Sequence, residues 1–167
     1  VANRVSQAVE TAAAAVGQTQ EILAGAINKS LKDVESAVRD PDIGMAAQKG
    51  ITDSNLVDQL VKDQQALVYA RVISTMISSG DVKSANTLLS SALGKDKDGK
   101  PGPLAGTVAG IKLQTALLTL NEKQKFADDF RAIGDTFSND AVGMLTHISG
   151  IEDVKRRNGL TVEMSKF

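Results

Sequence analysis

The residues of this chain that have the chemistry to act are few and scattered. They are a lone His147, the run Asp96-Lys97-Asp98-Gly99, the carboxylate pairs Asp128-Asp129 and Glu152-Asp153, the Gly-rich stretch from Gly102 to Gly110, and the basic cluster Lys155-Arg156-Arg157. A catalytic triad around His147 needs a positioned nucleophile and an orienting carboxylate, and no Gly-x-Ser-x-Gly turn occurs. A zinc site needs further His or Cys ligands, of which the sequence has none. His147 is therefore expected as a half-buried structural residue. Placing Gly99 at the sixth position of a calcium loop puts Gly94 where the first acidic ligand belongs and Ala105 where the bidentate Glu belongs, so that segment reads as a solvated turn.

Adjacent carboxylates on a helix point about 100° apart, so neither acidic pair converges on one substrate atom. The stretch PGPLAGTVAG lacks the Gly-Lys-Ser/Thr ending of a phosphate-binding loop and follows a helical pattern rather than a strand, which leaves it as a chain reversal or hinge. Lys155-Arg156-Arg157 has no interleaved aromatic residues for base stacking and is preceded by Glu152-Asp153, so it reads as a protein-contact surface rather than a specific nucleic-acid site. These residues predict no catalytic, cofactor-binding or metal-ligating group, and the chain is read as non-enzymatic.

Composition points the same way. With 19 Lys and Arg against 20 Asp and Glu, the net charge of -1 supplies no overall field for nucleic acid or an anionic membrane. A hydrophobic fraction of 42% over 167 residues supports a real core. Cys is absent, so no disulfide framework or thiolate site is available. Aromatic residues make up only 3%, which leaves Val, Ile, Leu and Ala to fill the core and favours close helix-helix approach. This composition resembles that of flagellin-like and secretion-filament subunits, and long-helix virion proteins fit it equally; the resemblance is compositional, with no residue-level motif. No stretch has the pattern of a secretory signal peptide or the length of a transmembrane span. A start at Val1 rather than Met is the expectation for a processed product or a fragment.

The elements follow from apolar spacing. Val5, Val9, Ala12, Val16, Leu23, Ile27, Leu31, Val34 and Val38 lie three, four or seven residues apart and predict one helix over about 3–39, roughly 55 Å long, ended by Asp40-Pro41. Thr52-Asp53-Ser54 can cap a second run with a broad apolar face, wide enough to pack on two sides. Gly80-Asp81 predicts a tight turn into a shorter helix, giving a hairpin over about 54–94. This hairpin resembles a single tetratricopeptide-type unit, without a second copy at a period near 34 residues. Lys95 to Pro103 is expected as an exposed connector, followed by a long helical region over about 104–137, starting at about Leu104 or Thr107, and a last helix over about 139–149.

The resulting expectation is an all-α fold, an elongated helical bundle with two long helices and a shorter helical hairpin. Residues 1–150 would form a single domain and 151–167, whose weaker periodicity reads as a short helix plus a tail, a C-terminal docking tail. The expected role is that of a structural or assembly protein, a subunit of a larger helical assembly such as a virion component or secretion-associated filament. Its expected partners are other copies or other structural proteins of the same assembly, in a virion or a secreted assembly. The alternative is a helical adaptor or secreted effector that binds a host or chaperone protein. Candidate interface residues are Val16, Leu23, Leu31, Lys155, Arg156, Arg157 and Phe167.

Overall fold

The computed structural model describes residues 2–136, 140–151 and 154–164, and the described residues are all-α, with no strand. Eight helices are present among them: α1 Ala2–Ala14, α2 Gln20–Arg39, α3 Met45–Gln48, α4 Ser54–Ser78, α5 Val82–Leu93, α6 Val108–Thr136, α7 Ala141–Ser149 and α8 Val154–Met164. None is long and apolar enough to cross a membrane. The chain divides into two compact units, Val1–Leu117 and Leu118–Phe167.

The helix expected over 3–39 is two helices. α1 stops at Ala14, the next residues close tight turns such as Ala15 N–H to the Ala12 carbonyl, and Gly17 takes φ +91°, a conformation that L side chains rarely adopt. Thr19 then caps α2, its hydroxyl accepting from the Ile22 N–H at 3.4 Å. The break folds α1 back so that α1, α2 and α4 pack on one another. The single apolar stripe read from the sequence therefore closes on itself: Val5, Ala8 and Ala12 of α1 meet Ile27, Val34 and Ala37 of α2 in one cluster with Val68, Val72, Ile73 and Met76 of α4. Small residues at these seams let the backbones approach closely.

Asp40 organises the exit from α2. Its carboxylate accepts the N–H groups of Asp42 at 3.0 Å and Ile43 at 3.1 Å and lies 3.5 Å from the Arg4 guanidinium. The Ile43 N–H, then the Asp42 N–H and Arg4, hold it below the usual carboxylate range. Asp53 caps α4 through Asn55 and Leu56 N–H groups, and Asp81 caps α5 through Ser84, as the hairpin reading requires. A second small cluster of Val38, Ala46 and Val61 seals α3 against α2 and α4. Tyr69 of α4 is half-buried against the main core, and burial pushes its phenol up.

The connector after α5 is exposed from Lys95 to Pro101 yet internally tied. Asp96 accepts from the Asp98 and Lys100 N–H groups at 2.9 and 2.8 Å, and Lys95 bridges Pro101. The Leu104 N–H reaches back to the Ala92 carbonyl at 3.0 Å, and the Leu104 side chain is fully buried in the first core. Helix α6 consequently starts at Val108, next to Thr107, the later of the two expected starts, and not at Leu104.

In the second unit, the last part of α6, α7 and α8 meet around Ile133, Met144, Ile148 and Leu160, with Phe126, Phe130 and Ile151 against them. Asp140 caps α7, accepting from the Gly143 N–H at 2.8 Å. The described part of 151–167 is thus not a tail apart from the core: α8 spans Val154–Met164, and Leu160, 1% exposed, is one of the four buried residues that hold this unit among the described residues.

Candidate functional site

Val16, Leu23 and Leu31 are each half-buried against the core of the first unit. The stripe expected to seek a neighbour is occupied largely by the chain's own α4. Lys155 is exposed and lies 3.2 Å from Glu122; Arg156 is half-buried and paired with Asp129; Arg157 is half-buried, 3.5 Å from the Ile151 carbonyl. The three basic residues therefore fan out from α8 rather than forming one patch, as a 100° step per residue dictates. Phe167 lies outside the described residues.

The other chemical candidates are absorbed locally. Asp128 accepts from the Gln124 amide at 2.9 Å, while Asp129 turns to Arg156, so the pair diverges. Glu152 and Asp153 lie outside the described residues. Asp96 spends its carboxylate on its own turn. The N–H of Gly110 at the start of α6 is taken by the Thr107 hydroxyl at 3.0 Å, the capping arrangement that a phosphate would have to displace. His147 is exposed in the last turn of α7 rather than half-buried, a position where imidazole meets the carbonyl end of the helix. Among the described residues no three His, Asp or Glu side chains cluster as a metal site.

Two features stand out that spacing alone did not single out. The first is the outer side of α4. Its buried residues Val61, Val68, Val72 and Met76 occupy one side, and Leu56 and Leu67 fall on the opposite side at helical spacing, while Leu60 between them packs against the Val38, Ala46 and Val61 cluster. Leu56 is 59% and Leu67 45% exposed. The broad apolar face of this helix was legible in the sequence, but which half the core would take was not.

The second is a cleft of about 450 Å³ within the second unit. Thr119, Glu122, Lys123, Lys125 and Phe126 of α6 form one wall, and Lys155 and Arg156 of α8 the other. Gly159 brings α8 close to the Phe126 ring: a Cβ there would fall 2.8 Å from its Cε2. Lys123 and Lys125 missed notice in the sequence because they are separated by Gln124 and sit about thirty residues from the basic cluster they join; only the fold of α8 along α6 puts them together. The chain matches no family model, no curated protein and no solved structure, so its functional reading rests on these two surfaces.

Proposed function

We propose that this chain is a non-enzymatic assembly protein that associates through helix-helix packing, with the outer side of α4 as the contact face and another copy, or another helical subunit of the same assembly, as partner. The observation that carries this reading is the pair Leu56 and Leu67, exposed on the side of α4 opposite its own core. A helix that is apolar on two sides is a helix built to be covered on both. Leu56 to Leu67 covers three turns, roughly 16 Å, and each Å² of it removed from water is worth about 25 cal/mol before the cost of association. A virion component or secretion-associated filament subunit is the setting that such packing and so aromatic-poor a composition suit best.

Light scattering over a concentration series tests the reading. The wild-type mass is expected to rise with concentration, and Leu56→Glu combined with Leu67→Glu is expected to hold the chain at monomer mass with unchanged helical circular dichroism. A wild-type chain that stays monomeric throughout, or a double variant that associates as the wild type does, refutes the assignment.

A further inference from the structure

The cleft between α6 and α8 is a different kind of surface from the α4 stripe, and charge is its distinguishing property. The chain as a whole carries a net charge of -1, yet among the described residues four cations line this one cavity against a single carboxylate, Glu122. Two of the four are already engaged, Lys155 with Glu122 at 3.2 Å and Arg156 with Asp129. Lys123 and Lys125 have no carboxylate partner among the described residues. Phe126 and the aliphatic stems of the lysines supply the apolar part of the lining. The volume lies inside the range of about 300–1,000 Å³ that small-molecule sites occupy.

We propose that this cleft binds a small organic anion, an aromatic or aliphatic body bearing a carboxylate, sulfonate or phosphate head. The body lies against Phe126, and the head is drawn by the two lysines that flank that ring on α6, Lys123 on one side and Lys125 on the other. Glu122 opposes binding in two ways: it repels the head and it occupies Lys155. Removing its charge frees that ammonium for the ligand. Gly159 is what the site requires on α8, since a side chain there would push the Phe126 ring from its place.

The probe for the test is 1-anilinonaphthalene-8-sulfonate, titrated into the full chain by fluorescence and calorimetry, beside N-phenyl-1-naphthylamine, which has the same rings without the charge. A saturable single site is expected for the sulfonate, weakened by added salt, with the neutral compound binding about tenfold more weakly. Lys123→Glu with Lys125→Glu is expected to weaken the sulfonate about tenfold or more, and Glu122→Gln to tighten it about threefold, both with unchanged melting. Leu56→Glu with Leu67→Glu is expected to leave the affinity unchanged, which separates this site from the association face. The proposal is overturned by non-saturating fluorescence, by equal affinity for the neutral compound, by indifference to the lysine reversals, or by loss of binding in the leucine variant.

Discussion

The two units of this chain solve the problem of a core without tryptophan in different ways. The first uses many small contributions: Ala8, Ala12, Ala37, Ala66, Ala85 and Ala92 are buried at its seams, and the larger aliphatic residues fill what remains. The second has four buried residues among those described and depends on two half-buried Phe rings and Ile151 to cover them. Arg156 and Asp129 form a half-buried pair on the same unit. Close helix contact spreads stability over many positions; a small core concentrates it in a few. Single substitutions should therefore act locally in the first unit unless they place charge in its centre, and should be felt throughout the second.

The sharpest break comes from Val72→Asp. Val72 is fully buried in the first core, and an unpaired carboxylate there is expected to cost about 4 kcal/mol or more, removing that unit's calorimetric transition while the helical signal of the second survives. Loss of both transitions together would show that the units fold as one. Leu160→Ala is the reciprocal experiment, expected to cost about 3 kcal/mol and to lower only the second unit's transition. An unchanged melting profile would return residues 151–167 to the role of a tail.

Finer effects sharpen the contrast. Ser30 is fully buried on α2 with no hydrogen-bond partner for its hydroxyl among the described residues, so Ser30→Ala is expected to stabilise the first unit by about 1 kcal/mol; destabilisation would mean the hydroxyl is satisfied. Matched cap deletions, Asp53→Ala on α4 and Asp140→Ala on α7, each remove about 1 kcal/mol. The same loss is expected to shift the smaller unit's melting temperature further, because its unfolding entropy is smaller. Equal shifts would contradict the division into units of unequal core.

The smallest effect is acid sensitivity of the first unit. Asp40 and Asp81 are both held below the usual carboxylate range: the Ile43 and Asp42 N–H groups lower Asp40, and the Ser84 hydroxyl and N–H lower Asp81. A carboxyl whose folded pKa is depressed stabilises fully above its unfolded value and loses that contribution as pH falls through the folded one. The first unit's melting temperature is expected to decline below about pH 4, and Asp40→Asn with Asp81→Asn to flatten the decline. A decline of the same slope in the double variant would assign it elsewhere.

Much of this fold can be read from local signals. Asp53, Asp81 and Asp140 announce three helix starts, and Gly80-Asp81 announces the hairpin, because capping and turn chemistry are fixed within a few residues. The N-terminal break was equally present in Gly17 and Thr19 but hidden by periodicity, since Ala12, Val16 and Leu23 keep helical spacing across it. Apolar spacing records which residues face a core, not whether the chain between them is straight. α8 declared itself as a short helix but not as part of a core, for the opposite reason: with Leu160 as its buried anchor, it has only weak apolar periodicity to detect. The cleft required residues thirty positions apart to meet, and no local rule gives that.

Tyr69, half-buried on α4, has an experimental consequence. It is the sole tyrosine of a chain that has no tryptophan, so near-ultraviolet absorption and intrinsic emission report on the first unit alone, while the second contributes only faint phenylalanine bands. The protein thus comes with one half optically marked. Tracking tyrosine emission beside far-ultraviolet ellipticity during denaturation resolves the order in which the halves are lost, and Phe130→Trp would give the second half a colour of its own.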